Sequence, residues 1–170
     1  ARQKTERQAA RRESEAERYR QRAMKAGHEI AKRSHSAIHP GPIGPVARYL
    51  EDRGIDLNEL TYLNAAKGPA LRLGEIKDLE YRHKINGRWQ TLHTGPAMIG
   101  AVVQPDGFFG AVHQTWLDYD DSDVWSKATI LHPKTGETLP AKKVLGSKKG
   151  GAIRLYTPEN PKVLVAGEGI

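Results

Sequence analysis

The fold is decided by the stretch from Leu79 to Leu117, which reads LEYRHKINGRWQTLHTGPAMIGAVVQPDGFFGAVHQTWL. Apolar and polar residues alternate on both sides of Asn86-Gly87, and Asn-Gly between two alternating runs is a strong signal for a β-hairpin. The sequence therefore predicts two antiparallel strands joined by a two-residue turn.

A second strand pair follows in the same stretch. Ala97 to Val103 and Phe108 to Leu117 are rich in apolar residues, and Pro105-Asp106-Gly107 between them is typical of a turn. Helical patterns precede these strands rather than alternating with them. We therefore predict an α+β fold, with N-terminal helices followed by a mainly antiparallel sheet.

Working outward towards the N-terminus, residues 1 to about 33 consist mostly of good helix formers and contain no proline. Because acidic residues are interleaved with the basic ones, we favour a solvent-exposed connector helix over an arm that grips a phosphate backbone. Ser34 to Pro45 contains three prolines and ends that helix. Residues 45–55 then predict a short amphipathic helix that begins at proline.

Charge is distributed unevenly along the chain. The net charge is +7, of which residues 1–35 contribute +6, residues 36–140 contribute −3 and residues 141–170 contribute +4. Basic ends around a slightly acidic middle favour a polyanionic partner. The chain has no cysteine, which excludes disulfides and cysteine-based zinc sites, and no run long and apolar enough to span a membrane.

The acidic cluster at Asp118, Asp120, Asp121 and Asp123 begins like a calcium-binding loop. It lacks the glycine at the sixth position and the glutamate at the twelfth, so we interpret it as a polar surface loop.

Five cations stand close together near the C-terminal end: Lys142, Lys143, Lys148, Lys149 and Arg154. Only Glu159 and Glu168 oppose them within residues 141–170, and glycines around the second lysine pair give backbone amides access to an anion. A flexible surface turn is the simpler interpretation of these glycines. The five cations together are a better nucleic-acid candidate than the N-terminal helix, with Phe108, Trp116 and Tyr156 as stacking candidates or core aromatics.

Four segments carry a resemblance to a known family: PVARYLEDRGI from Pro45, GFFGAVHQTWL from Gly107, KKVLGSKKGGAIRLY from Lys142, and VLVAGEGI from Val163. In this order and near these spacings, they resemble the Toprim-type DNA primases of phages, plasmids and mobile elements, relatives of the bacterial replicative primase. The resemblance covers most of residues 40–170.

The resemblance implies roles for particular residues. Glu168 matches the Toprim glutamate, a catalytic metal ligand or general base, and Lys143, with Lys142 beside it, matches a lysine that contacts template or nucleotide phosphates. Arg154 matches the arginine of the strand before Toprim. His113 and Gln114 match a polar pair on the sheet, although the family often has arginine at the second position.

Three parts are expected on this basis: a basic connector helix (1–35), an α+β N-terminal subdomain of a primase core (36–160) and the first strand of a truncated Toprim α/β domain (161–170). The implied function is the front part of a primase core, which binds single-stranded DNA template and helps to position nucleoside triphosphates for RNA primer synthesis.

The resemblance also implies Mg²⁺ or Mn²⁺ in the intact enzyme and a replicative helicase as a further partner. No membrane partner is expected, because no run is apolar enough to span a membrane, and a cytoplasmic location is expected, with which the lack of cysteine is compatible. Glu168 alone is an incomplete metal site, so no metal is firmly expected here and the chain alone is expected to be inactive. A non-catalytic basic adaptor for nucleic acid or replication proteins is the alternative, and an α+β structural domain with incidental charge is the third.

Overall fold

The computed structural model describes residues 2–37, 43–57, 73–120, 122–155 and 167, with side chains described from Glu6 onward. The elements, in chain order, are α1 (Arg2–Arg33), β1 (His35–Ser36), α2 (Pro45–Asp52), β2 (Leu73–Ile85), β3 (Arg88–Val103), β4 (Phe109–Tyr119), β5 (Trp125–Lys127), β6 (Ile130–Leu131), β7 (Thr138–Leu139), β8 (Lys142–Gly146) and β9 (Ala152–Ile153).

The two predicted hairpins form the centre of the sheet. Strands β2 and β3 are joined at Asn86 and Gly87, whose φ angles of 48° and 79° are the positive values that a tight hairpin turn requires at both central residues. Strands β3 and β4 pair antiparallel across the second turn. The prediction of an α+β fold with a mainly antiparallel sheet is confirmed.

Two strand boundaries differ from the prediction. Strand β2 begins at Leu73, six residues before the alternation becomes clear at Leu79, and β3 continues through Gly95-Pro96 instead of ending before Ala97. The pairing register between β2 and β3 shifts at Pro96, which lies opposite both Lys77 and Asp78 of β2. A proline has no N–H for the ladder, so the strand accommodates it at a bulge.

Strand β4 is central because both of its edges are paired. One edge pairs with β3, and the other pairs first with β8 and then, further along, with β5. Strand β9 extends the sheet beside the end of β3, and β1 pairs with the start of β2. A separate hairpin of β6 and β7 turns at Gly136, whose φ is 70°.

One side of the sheet, here the helix-1 face, packs against the C-terminal third of α1. Gly27 allows a very close approach, because a Cβ at that position would lie 2.7 Å from the carbonyl oxygen of Leu145 and 3.3 Å from Val112 Cγ1. The core on this face is completed by Tyr81 and Trp116, whose rings meet edge to face with centroids 4.9 Å apart.

The opposite side, here the helix-2 face, is covered in part by α2. Val46 and Leu50 pack with Leu117 in a second apolar cluster. The helix begins at Pro45 after Gly44, which has no side chain to cap it, and the buried carboxylate of Glu75 accepts a hydrogen bond from Val46 N at 2.9 Å. A residue from the sheet thus caps the helix and fixes it on this face.

Helix α1 agrees with the predicted N-terminal helix, and residues 6–22 of it are exposed. No helix within the described ranges combines the length and the apolar character needed to cross a membrane. Residues 161–166 and 168–170, where a first Toprim strand was expected, lie outside the described residues.

Candidate nucleic-acid interface

Strand pairing separates the two adjacent lysines of β8. Lys143 stands opposite Gln114 and Lys142 opposite Thr115 on β4. Directly paired residues share a face and successive residues alternate, so the two lysine side chains leave the sheet on opposite sides. Lys143 lies on the helix-1 face, and Lys142 lies on the helix-2 face.

The helix-2 face gathers cations beyond the edge of α2. Lys142 and Lys127 come from the two strands that share one edge of β4, and Lys148 comes from the loop after β8. His113 and Val144 form a cross-strand pair between them. We call this surface, formed by Lys127, His113, Lys142, Val144 and Lys148, the basic sheet face.

Electrostatics show how closely these groups converge. Burial lowers the pKa of His113, and the nearby charges of Lys142, Lys148 and Lys127 lower it further. The pKa of Lys127 is lowered chiefly by the close approach of the Lys142 ammonium group, with burial and the charges of Lys142 and Arg53 as smaller causes. Like charges therefore face one another around a half-buried imidazole.

No described carboxylate neutralises this group. The ion pairs among the described residues lie elsewhere, along α1 and within α2, and Lys127, Lys142 and Lys148 take part in none of them. Asp52 of α2 accepts a hydrogen bond from Trp125 N at 2.8 Å. Converging ammonium groups without a counter-charge favour a bound anion.

Lys143 has a different environment. Its ammonium group lies 3.6 Å from the ring centroid of Tyr81 and donates a hydrogen bond to the carbonyl oxygen of Arg82, while burial lowers its pKa. The Tyr81 hydroxyl donates in turn to Pro140 O at 3.0 Å. This lysine, which the resemblance matches to a phosphate contact, holds β8 against β2.

The glycine-rich segment after β8 forms a supported surface loop. Gly146 has a φ of 112°, and Gln104 Nε2 donates to Ser147 O at 2.8 Å. Lys148 and Lys149 within this loop are both exposed. The loop leads to β9 rather than to a helix, so its surroundings differ from those of a P-loop.

Arg154, which the resemblance matches to the arginine of the strand before Toprim, lies just beyond β9, which covers Ala152–Ile153. Its guanidinium group is exposed and donates to Gln104 O at 3.4 Å. The contact links Arg154 to Gln104, whose side chain also supports the loop that carries Lys148, and Arg154 has no carboxylate partner among the described residues.

The remaining predicted residues do not join the basic sheet face. Gln114 is buried on the helix-1 face, with 5% of its surface exposed. Glu168, the predicted catalytic and metal-binding residue, lies outside the described residues. Within the described ranges, no group of three or more His, Asp or Glu side chains is arranged to hold a metal ion.

Lys127, the strand residue whose ammonium group meets that of Lys142, is not recognisable as a site residue from the sequence. It lies 15 positions away in the chain and looks like an ordinary surface lysine of the segment after the acidic loop. Lys127 and Lys142 lie close together because β5 and β8 pair with the same edge of β4.

A family model of a domain of unknown function, DUF7146, matches residues 10–155. The chain belongs to the DUF7146 family. The match runs from the first half of α1 to the end of the described sheet, so the basic sheet face lies within the DUF7146 domain and Glu168 lies outside it. No curated protein and no solved structure matches this DUF7146 chain.

Proposed function

We propose that this chain binds single-stranded DNA through the basic sheet face and acts as the template-binding front part of a DNA primase core. The observation that carries the binding proposal is the convergence of Lys127, Lys142 and Lys148 around His113 without a described carboxylate. The primase assignment is supported by the resemblance of the segments around His113, Lys142 and Glu168.

The chemistry of this surface suits a phosphodiester backbone. Lysine ammonium groups bind phosphate as point charges, and the release of counterions from the strand drives such binding without regard to sequence. Phosphate oxygens between Lys127 and Lys142 would offset their mutual repulsion. Phe108, 74% exposed at the β3–β4 turn, is a candidate platform on which an unpaired base stacks.

In the intact enzyme, the proposal assigns Glu168 to a divalent-metal site for nucleotidyl transfer, with nucleoside triphosphates as substrates. The described residues offer no cluster that fits such an ion, so the part proposed for them is to hold the template. A replicative helicase remains a proposed partner of the whole protein.

A salt titration with a matched control tests the binding proposal. The probe is a fluorescein-labelled 20-nucleotide single strand, and its anisotropy is followed at 50 and 200 mM NaCl. The variant K127Q/K142Q is compared with K77Q/K84Q, which removes the same charge from exposed positions of β2. We expect the first pair to lower the affinity at least tenfold and to reduce the salt slope by about 1.4, since each phosphate contact on a single strand contributes about 0.7.

Equal losses in both pairs would contradict the proposal, because they would reflect net charge alone. Primer synthesis is assayed separately in the product of the complete gene, with Glu168→Gln. Loss of synthesis with template binding retained supports the primase assignment. Template binding by a complete product that makes no primer, with or without Glu168, favours the non-catalytic adaptor.

A further inference from the structure

Helix α1 carries a row of cations that the proposed function does not use. We propose that this row binds the phosphodiester backbone of a nucleic acid, as a second docking surface on the opposite side of the sheet from the basic sheet face. We call it the arginine row, and its members are Arg7, Arg11, Arg18, Arg22 and Lys25.

Helical periodicity places these five side chains on one stripe. Successive members are separated by four, seven, four and three residues, which correspond to one or two turns of an α-helix. Two acidic residues lie on the same stripe: Glu15, three residues before Arg18, and Glu29, four residues after Lys25. Glu13 and Glu17 fall elsewhere around the axis. Glu13 lies two residues beyond Arg11, about 200° around the helix, and Glu17 lies one residue, about 100°, from Arg18.

At its C-terminal end the stripe faces away from the body of the protein, and residues 6–22 of α1 are exposed on all sides of the helix. Gly27, Ile30 and Ala31 contact the sheet, and Lys25 lies two residues, about 200°, from Gly27. All five members of the arginine row are exposed. The row therefore does not support the fold of this chain.

Counter-charges along the row are few. Arg11 pairs with Glu15, which lies on the stripe between Arg11 and Arg18, at 2.9 Å. Arg7, Arg18, Arg22 and Lys25 form no ion pair with any residue that the structure describes. In contrast, Arg20, on another side of the helix, pairs with Glu17 at 3.2 Å.

The dimensions and the residue type both suit a phosphate backbone. Arg7 and Lys25 are 18 positions apart, which corresponds to about 27 Å of helix, or about eight nucleotides of one strand. Four of the five residues are arginine, whose planar guanidinium group binds phosphate through two parallel hydrogen bonds.

The chain offers a closely matched pair of variants. R18Q/R22Q removes two charges from the row, and R12Q/R20Q removes two from other sides of the same helix, with all four positions exposed. Anisotropy is measured with a 30-nucleotide single strand, the corresponding duplex and poly-L-glutamate, at 50 and 200 mM NaCl. Circular dichroism confirms that both variants retain the helix.

We expect R18Q/R22Q to lower the affinity for at least one nucleic acid about tenfold or more, and to reduce the salt slope by about 1.4 on the single strand or 1.8 on the duplex. R12Q/R20Q should change the affinity less than threefold. The form of DNA with the larger loss is the one that the row binds.

Three results would overturn the inference: no loss in R18Q/R22Q, equal losses in both variants, or poly-L-glutamate binding as tightly as DNA with the same loss. The last would indicate an acidic protein partner. These outcomes are independent of K127Q/K142Q, which tests the basic sheet face, so either surface can fail while the other stands.

Discussion

At the scale of single residues, the main result is that two adjacent lysines have different roles. Lys142 lies among other cations on the helix-2 face, and Lys143 contacts the Tyr81 ring and the Arg82 carbonyl oxygen on the other side of the sheet. A variant that removes both lysines would mix a binding effect with a packing effect. Single substitutions separate them.

Replacing Lys143 should reduce stability, whereas replacing Lys142 should not. Lys143→Gln removes a partly buried cation–π contact and a charged hydrogen bond, so we expect a loss of about 1–3 kcal/mol in the free energy of unfolding. Lys142→Gln removes a repulsive neighbour of Lys127 and should change stability by less than about 0.5 kcal/mol. Urea denaturation measures both. Equal stability of the two variants would contradict the different roles assigned to Lys142 and Lys143.

The environment of His113 makes a prediction about pH. Its pKa in the folded protein is below the ordinary value of 6.5, so the folded state binds fewer protons than the unfolded state between these two pKa values. The free energy of unfolding should therefore fall as the pH drops from about 6.5 to the folded-state pKa. Above pH 6.5, His113 should not affect the dependence of stability on pH.

NMR titration of the His113 ring measures this pKa directly. Lys142→Gln should raise it, because one of the neighbouring positive charges is removed, while burial keeps it below the ordinary value. Lys84→Gln, an exposed substitution on β2, serves as the control and should leave it unchanged. An unchanged His113 pKa in Lys142→Gln would show that the His113 ring and the Lys142 ammonium group do not face each other.

The sequence shows the basic residues near the C-terminal end, but it does not show which of them lie together in the folded protein. Alternation in β8 separates Lys142 from Lys143, yet the short run KKVLG does not reveal which face is covered by α1. The partner of Lys142 is Lys127, and this depends on strand pairing across 15 positions. Along α1, acidic residues are interleaved with the basic ones in the sequence. The arginine row becomes apparent only when the residues are grouped by the helical period.

At the scale of elements, the turns were the most predictable features. Asn86-Gly87 specifies its hairpin through local backbone geometry, and that prediction is confirmed. The start of β2 was missed because residues 73–78, LGEIKD, do not alternate, and Glu75 is a buried charge where an apolar residue would be expected. Its role is to cap α2, which is a contact between elements 29 positions apart.

The attachment of α2 should depend on the charge of Glu75. Glu75→Gln keeps an oxygen that accepts from Val46 N but removes the negative charge at the helix N-terminus, so we expect a loss of about 0.5–2 kcal/mol in the free energy of unfolding. Glu75→Ala leaves that N–H without its partner and should cost about 1–3 kcal/mol. Thermal and urea denaturation rank the two variants, with Glu80→Gln, exposed on the same strand, as the control. The reverse order would contradict capping by the carboxylate.

At the scale of the whole molecule, the sheet separates two basic surfaces. The basic sheet face lies beside α2, while the arginine row lies on the outward side of α1, which covers the other face. The cations of the basic sheet face come from positions that are distant in the sequence. Those of the arginine row have acidic residues between them in the sequence. The net charge of +7 is therefore organised into two surfaces by the fold rather than by the order of residues.

Because the two surfaces share no residue and lie on opposite sides of the sheet, their contributions to DNA binding should be independent. With a 10-nucleotide strand, which is short enough to favour one surface at a time, we expect each chain to bind two strands. K127Q/K142Q and R18Q/R22Q should each lose one of these strands and keep the other at its original affinity, and the combined variant K127Q/K142Q/R18Q/R22Q should lose both. The measurement is a stoichiometric titration of the four proteins. A single strand per chain, whose affinity falls in each pair variant by factors that multiply in the combined variant, would mean that one strand reaches both surfaces. That result would replace two separate docking sites by a single path for the nucleic acid around the edge of the sheet.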